Sequence, residues 1–404
     1  MTAEPIVAVP LPATDTALTA ALRRALKPGT TVALGDGVGQ LRCTQDGTSI
    51  GAALSAAAAD LGDIRLVLGW LPAAPSEFEP EAFREVMALM PGWGVRKTLR
   101  SSRARFVPTS LAGVPALLSG ALRPDVLLTR LVRRDGQLRF GTEVSWQHEL
   151  ISAGTRVLAV LDTAAPAADA VRDIDPARVQ VVGHSDEGPL VVPHRPPEPL
   201  HHAVAEQVCR LVPAGARLQY GPGQLGTALL ARLGVPVRIE TGLLTDAVVE
   251  LDRRGMLIGD PTATYLIGSE VLYDWADARP ILRGIEYTHD LTRLSRGAPF
   301  VAVNTAIEID RAGQVNVEGV QDKVVGGIGG HPDFCAGARM SRHGLSIIAV
   351  PRAFDGRSPL VDRLSRPAST PAHDVDVVVT ETGYADLRGA DWELRRRLLD
   401  GLFA

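Results

Sequence analysis

The sequence predicts an α/β protein built from two open domains. Three features predict this fold: a length of 404 residues, an alternation of short β-branched apolar runs with amphipathic helical stretches, and a proline-rich segment near the middle of the chain. The length is enough for two domains, and the alternation is typical of parallel sheets covered by helices. Proline continues neither a helix nor a central strand. We therefore place the domain boundary in the proline-rich segment and predict domains at 1–192 and 200–404.

The first half supplies the clearest strand predictions. Segment 191–202, VVPHRPPEPLHH, contains four prolines and ends this half. The apolar runs before it that predict strands are Thr31–Leu34, Ile64–Leu68, Val126–Leu131, Val157–Leu161 and Val179–Val182.

The two halves begin with similar patterns. Each has a helical stretch, a tight turn, a buried strand and a glycine-rich exit: Leu22–Leu26, Thr31–Leu34 and residues 35–37 in the first, and Val204–Leu211, Arg217–Tyr220 and residues 221–223 in the second. The pattern indicates either a duplicated α/β domain or a chance similarity between two ordinary α/β segments.

Composition and charge exclude several classes of protein. Hydrophobic residues make up 46% of the chain and charged residues 22%, as in ordinary globular enzymes, and the net charge of −4 gives no general attraction to nucleic acid. Cys43, Cys209 and Cys335 are too far apart to predict a disulfide framework or a zinc site. Met1–Pro5 lacks a basic export signal, and no apolar run is long enough to cross a bilayer. We expect a cytoplasmic protein with no metal and no membrane or nucleic-acid partner.

A short glycine pattern follows the strand Arg217–Tyr220. Gly221, Gly223 and Gly226 spell GxGxxG before a helical stretch, and Glu240 ends the next predicted strand. A dinucleotide-binding unit has this plan, with the acid on the ribose. A strand-to-helix turn that needs glycine only for its backbone conformation has the same pattern. Both interpretations stay open at this point.

A second glycine loop, VVGGIGGHPDF at 324–334, precedes a buried strand. Its four glycines allow backbone N–H groups to approach a ligand closely, as loops that bind phosphates or oxyanions do.

Together with other motifs, this loop resembles the acetyl-CoA hydrolase/transferase family, which includes 4-hydroxybutyrate and butyrate:acetate CoA-transferases. The other motifs are 94–96 GVR, 106–108 FVP, 140–144 FGTEV, 218–223 LQYGPG, 287–290 YTHD, 303–310 VNTAIEID, 313–316 GQVN and 378–389 VVTETGYADLRG. The resemblance implies a fold of the class I CoA-transferase type with the active site in an interdomain cleft. It also implies acyl-CoA or CoA and a small carboxylic acid as ligands, no further cofactor, and a homo-oligomer, expected to be a homodimer.

One position departs from the family pattern. Segment 237–251 resembles the stretch in which family transferases carry a nucleophilic glutamate, and here Gly242 stands at that position. Glu240 lies two residues earlier. Because residues i and i+2 of a strand share a face, we predict that Glu240 points into the cleft and acts as a general base on water. The alternative is an ion pair between Glu240 and Arg238 or another arginine.

The resemblance assigns binding roles to both glycine loops. The amides of Gly221 and Gly223 are expected to face the thioester region of CoA. Gly327, Gly329 and Gly330 are expected to form an oxyanion hole, which stabilises a tetrahedral intermediate.

Three polar residues near these loops have weaker assignments. Asp333 is expected to order the glycine loop through backbone hydrogen bonds, and His331 to face solvent. Glu381 is expected to touch the ligand on the CoA side of the cleft, with a surface ion pair between Asp386 and Arg388 as the alternative.

The leading functional hypothesis is acyl-CoA hydrolase or CoA-transferase activity. The missing glutamate supports a second hypothesis, a catalytically silent protein that binds CoA thioesters. The GxGxxG pattern and Glu240 support a third, a nicotinamide-dependent oxidoreductase. Fold alone does not choose among them.

Overall fold

A computed structural model describes residues 16–171, 174–354 and 356–404. Met1–Pro5, on which the prediction of no export signal rests, lies outside the described residues. No helix in the described part of the chain is long and apolar enough to cross a membrane.

The first half forms a mostly parallel sheet. Its strands are β1 (Thr31–Leu34), β2 (Arg65–Leu68), β3 (Glu85–Ala88), β4 (Ala104–Phe106), β5 (Val126–Arg134), β6 (Gln137–Arg139), β7 (Arg156–Asp162) and β8 (Val179–Ser185). They follow the order β4-β3-β2-β1-β5-β7-β8, and β6 pairs antiparallel with β5. The helices of this half are α1 (Ala17–Ala25), α2 (Ile50–Leu61), α3 (Val114–Ser119) and α4 (Gln147–Ser152). The five strands predicted from apolar runs are confirmed, with shifts of a few residues at their ends.

The second half forms another mostly parallel sheet, in the order β10-β9-β13-β18-β20-β21, of which only β21 is antiparallel to its neighbour. Its strands are β9 (Arg217–Tyr220), β10 (Arg238–Ile239), β13 (Phe300–Asn304), β18 (Leu345–Ala349), β20 (Val377–Thr380) and β21 (Gly383–Asp386). The remaining strands form small ladders: β11 (Leu243–Leu244), β12 (Tyr265–Leu266), β14 (Glu308–Asp310), β15 (Val315–Asn316), β16 (Gly319–Val320), β17 (Lys323–Val324) and β19 (Leu360–Val361).

Helices cover the second sheet. They are α5 (Pro199–Cys209), α6 (Gln224–Arg232), α7 (Ala247–Arg253), α8 (Glu270–Ala276), α9 (Ile285–Thr288), α10 (Leu291–Leu294), α11 (His331–Met340) and α12 (Trp392–Phe403). The predicted α/β class is therefore confirmed.

The two sheets meet through backbone and core contacts. The chain from 186 to 198, where the boundary was predicted, contains neither helix nor strand. Two backbone hydrogen bonds connect the chain before this segment to the chain after it. The Val144 N–H donates to the Thr264 carbonyl (3.0 Å) and the Leu266 N–H donates to the Thr142 carbonyl (2.8 Å). One hydrophobic core also contains residues of both sheets, such as Leu127 and Leu218. The sheets are thus packed together, and the limits 1–192 and 200–404 stay a prediction.

Candidate active site

A cavity of about 300 Å³ lies between the two halves. The first half contributes mainly apolar side chains, which are Trp70, Met90, Pro91, Trp93 and Leu111. The second half contributes both glycine loops together with Gln219, Thr241, Gly242, Tyr265, His289, Asn304, His331 and Phe334, among others. No Asp, Glu, Lys or Arg is among the described residues that line it. The cavity therefore suits a largely uncharged ligand group.

The second glycine loop packs tightly against the first half of the chain. A Cβ on Gly327 would lie 2.8 Å from Pro91 Cδ, closer than packed atoms tolerate, and 3.1 Å from Met90 Sδ, which is a tight contact. Gly329 has a φ of +62°, a conformation that favours glycine, and its carbonyl accepts from the Leu111 N–H at 2.9 Å. Two of the glycines are thus required by close approach and backbone conformation.

Gly330 lies at the start of helix α11, against the ring of His289. A Cβ at this position would overlap His289 Nε2 and come within 2.9 Å of Phe334 Cε2. No acceptor among the described residues is found for the Gly330 N–H. Gly330 itself lines the cavity, so its amide is a candidate donor for a ligand there.

His289 is buried in the cavity wall, with 2% of its surface exposed. Its Nδ1 is 2.8 Å from Thr288 Oγ1, whereas its buried Nε2 has no partner among the described residues. Burial, with the nearby charge of Arg293, lowers the pKa of His289 to about 3, so the ring is neutral at pH 7. A buried polar atom without a partner is rare in proteins and calls for an explanation, which makes His289 the polar residue of the cavity wall to account for.

The Thr288 hydroxyl lies between two partners. It donates to the Gly284 carbonyl at 3.2 Å and is 2.8 Å from His289 Nδ1. In one tautomer of the ring, Nδ1–H donates to this hydroxyl and Nε2 is an acceptor. In the other tautomer, Nε2 carries the ring proton and is a hydrogen-bond donor, and both are compatible with these contacts.

Gly242 also lines the cavity, beside the same two rings. A Cβ there would lie 3.5 Å from both His289 Nε2 and Phe334 Cε2, an ordinary van der Waals distance. The site thus has space for a side chain at this position, although the chain supplies none.

Glu240 does not lie among the residues that line the cavity. Strand β10 ends at Ile239, so the strand alternation that placed Glu240 on the face of Gly242 does not apply. Its carboxylate instead pairs with Arg293 (2.8 Å) and Arg217 (3.3 Å). Glu240 therefore forms the ion pair predicted as the alternative, with Arg217 and Arg293 and not with Arg238. The prediction that it points into the cleft is wrong.

The first glycine loop contributes unequally to the cavity. Gly221 lines it, but Gly223 is not among the lining residues. Gly223 has a φ of +120° and precedes helix α6. A Cβ on Gly226 would overlap the Gly221 carbonyl. The GxGxxG pattern is accounted for by the geometry of this strand-to-helix turn.

The remaining predicted residues lie outside the cavity lining, apart from His331. Asp333 accepts the Ala112 N–H at 3.0 Å, and burial raises the pKa of its carboxyl to about 6. It therefore connects helix α11 to the first half of the chain. Glu381 accepts the Arg352 N–H at 3.0 Å, away from the cavity. Arg388 pairs with Asp386 at 2.6 Å, as the alternative predicted.

His331 lines the cavity and is buried, so the prediction that it faces solvent is wrong. Its Nε2 donates to the Thr305 carbonyl (3.0 Å), and Nδ1 accepts from the Thr370 hydroxyl (2.6 Å). Burial lowers the pKa of His331 to about 4. Both ring nitrogens have protein partners, which indicates a structural role, in contrast to His289.

His289 is the main residue that sequence reasoning did not single out. It stands where the family pattern Tyr-x-Asn-Asp has asparagine, and this difference was the available signal. Among the described residues, no group of three or more His, Cys, Asp or Glu is placed to hold a metal ion.

Known proteins match this chain in sequence and in structure. Residues 268–400 match the model of the acetyl-CoA hydrolase/transferase C-terminal domain. The matched range includes His289 and the second glycine loop, and the match confirms the resemblance that the motifs predicted.

Relatives extend the similarity beyond this domain. The chain is 28% identical over 334 residues to the 4-hydroxybutyrate coenzyme A transferase of Clostridium kluyveri, covering 77% of each chain. It is 26% identical to the acetyl-CoA hydrolase of Kluyveromyces lactis, covering 66% of this chain and 60% of that one. RipA from Yersinia pestis has the same fold, with a TM-score of 0.84 at 22% identity over 96% of this chain and 93% of that one.

Proposed function

We propose that this protein hydrolyses acyl-CoA thioesters with an uncharged acyl group. Both the transferase and the hydrolase relatives named above support CoA-thioester chemistry. The observation that favours hydrolysis is Gly242: the position of the family nucleophile lines the cavity without a carboxylate, and no other Asp or Glu among the described residues lines it. Transfer through a glutamyl-CoA thioester needs such a carboxylate.

In this proposal the thioester carbonyl lies between Gly330 and His289. The proposal uses the tautomer of His289 with its proton on Nε2: the Gly330 N–H and this Nε2–H donate to the carbonyl oxygen and stabilise the negative charge that develops on it. A neutral histidine suits this role, because its low pKa keeps it a donor without a charge of its own.

Water supplies the attacking oxygen. A C–O bond forms, the C–S bond breaks, and CoA leaves as a thiolate. Thiols are acidic enough, with the pKa of the cysteine thiol near about 8.5, for a thiolate to depart without a proton donor. Because Glu240 is paired with Arg217 and Arg293, we do not assign it the role of general base. The water proton is released to solvent, so the rate should rise with hydroxide concentration.

The acyl group is proposed to occupy the apolar part of the cavity. Trp70, Met90 and Leu111 form this wall, and no cation lies in the lining to pair with a second carboxylate. Release of CoA from a panel of acyl-CoA esters tests the proposal. Uncharged acyl groups should turn over faster than dicarboxylate half-thioesters of similar length, and transfer of CoA to acetate should not be measurable.

The same missing carboxylate favours a second candidate, a protein that binds CoA thioesters without turnover. Calorimetric binding of acyl-CoA in the absence of CoA release across the panel would establish it. The nicotinamide hypothesis needs the Glu240 carboxylate to bind a ribose, and this carboxylate is already paired with two arginines. The hypothesis is therefore no longer supported. The cytoplasmic location and the homodimer remain predictions from the sequence and from the resemblance.

A further inference from the structure

A run of exposed cations follows Trp93, a residue of the cavity lining. Between Val86 and Pro124 the sequence contains no Asp or Glu, although the chain as a whole has a net charge of −4. Arg96, Lys97, Arg100 and Arg103 fall within eight positions of this stretch and are all exposed. We name these four residues the basic lip.

The basic lip is held in place by its buried neighbours. Val95 and Thr98 are buried between the exposed cations, and the segment forms two short 3-10 turns, Trp93–Val95 and Thr98–Arg100. The Gly94 N–H donates to the Leu71 carbonyl at 2.8 Å. The cations are thus carried by a well-packed backbone.

Two contacts place the basic lip at the cavity. Trp93, three residues before Arg96, lines the cavity and is 53% exposed, so it stands at the boundary with solvent. The guanidinium of Arg96 donates to the Val325 carbonyl at 3.3 Å, next to Gly326 in the cavity wall. Arg96 is therefore adjacent to the second glycine loop, and the other three cations follow it within seven positions of the chain.

Within the described part of the chain, no carboxylate pairs with these four residues. The salt bridge nearest in sequence joins Arg105 to Glu85 (3.0 Å) and involves no residue of the basic lip. Exposed cations without a carboxylate partner attract an anion, and arginine is well suited to phosphate because its guanidinium donates two parallel hydrogen bonds.

We propose that the basic lip binds the phosphate groups of CoA while the thioester end enters the cavity. The proposal rests on the proposed function, since it concerns the same ligand. It follows from the separation of charge: the cavity lining carries no charged side chain, whereas the other end of a CoA thioester carries a diphosphate and a phosphate monoester. A site for the whole molecule needs cations outside the cavity, and the basic lip supplies them.

The test compares two substrates that differ in their phosphates. Acyl-CoA carries them and the corresponding acyl-pantetheine does not. The double variant Lys97→Ala/Arg100→Ala removes two charges and leaves the Arg96 contact with Val325 in place. We expect KM for acyl-CoA to rise about tenfold or more, because charged hydrogen bonds are among the stronger ones, with KM for acyl-pantetheine and kcat unchanged.

Arg342→Ala is the matched control. Arg342 is exposed and lies beyond the far end of helix α11, roughly 15 Å from the cavity end of that helix, and it should change neither KM. Equal losses with both substrates, or no change with acyl-CoA, would overturn the proposal.

Binding measurements separate this proposal from the proposed function. If the wild-type protein turns over neither substrate, calorimetry with CoA and with pantetheine still reports on the basic lip. If the double variant binds CoA more weakly than the wild type does, and binds pantetheine equally well, the proposal is supported even without turnover. Equal affinity of wild type and double variant for CoA, or no binding of CoA by the wild type, contradicts it.

Discussion

His289 Nε2 and Gly330 are in such close contact that a single added methyl group on Gly330 would overlap the imidazole. The two residues are 41 positions apart in the sequence, and Gly242 lines the same cavity beside the His289 ring. This contact brings a ring nitrogen and a backbone amide, neither with a partner among the described residues, to one place, and it makes both residues testable.

Gly330→Ala should reduce both activity and stability. The added Cβ has to displace His289 or Phe334, and overpacking of this kind costs about 1–3 kcal/mol in the free energy of unfolding. Urea denaturation measures this loss, and CoA release measures the fall in turnover. Gly401→Ala is the control, because a Cβ there meets no atom within 4 Å and alanine favours its helix. An unchanged stability of Gly330→Ala would contradict the contact with His289.

His289→Phe should lower kcat by about 100- to 1,000-fold, the usual effect of losing one oxyanion donor. Phenylalanine retains an aromatic ring for packing on Phe334, whose ring centroid is 4.6 Å from that of His289, but it has no donor. His289→Gln keeps an amide donor and should recover part of the rate. The exposed His194→Gln serves as the control. Full activity of His289→Phe would remove His289 from the proposed mechanism.

Gly242→Glu should introduce CoA-transferase activity. The backbone at this position admits a Cβ without overlap, and the glutamate would stand in the cavity at the place of the family nucleophile. Labelled acetate should then appear in acetyl-CoA, and borohydride should trap a reduced residue at 242. Gly242→Gln fills the same volume without a nucleophile and should give neither signal. Transfer by the wild-type chain would show that another group supplies the nucleophile.

Glu143→Gln should flatten the dependence of stability on pH between about pH 5 and 7. Burial raises the pKa of Glu143 to about 7, above that of a carboxyl in the unfolded chain. In this pH range the folded state holds a proton on Glu143 that the unfolded state has released. The stability that protonated Glu143 contributes at low pH is therefore lost as pH rises through this range.

Glutamine retains an acceptor for the Gly39 N–H and the Thr142 hydroxyl, which both bond to one oxygen of Glu143. Urea denaturation at several pH values measures the slope, and Glu393→Gln on the surface is the control for loss of a charge. A slope equal to that of the wild type would contradict the raised pKa.

The sheets could be predicted from the sequence because their signal is local. Runs such as Thr31–Leu34 and Val157–Leu161 are apolar at consecutive positions, which fits strands buried on both faces. The glycine loops were predicted for the same reason, since Gly327 and Gly330 are recognisable as part of one short motif.

The orientations of polar side chains could not be predicted, because they depend on residues far away in the sequence. Glu240 turns toward Arg217 and Arg293, and His331 is buried by contacts with Thr305 and Thr370. No periodicity within either segment reports these partners.

The bond from the Leu111 N–H to the Gly329 carbonyl joins the two halves of the chain at the cavity. The cavity is therefore a composite site, and neither half encloses it alone. A ligand inside contacts both sheets at once, so its binding free energy strengthens their mutual docking and couples their unfolding. Conditions that separate the halves should abolish binding while each sheet still retains its secondary structure.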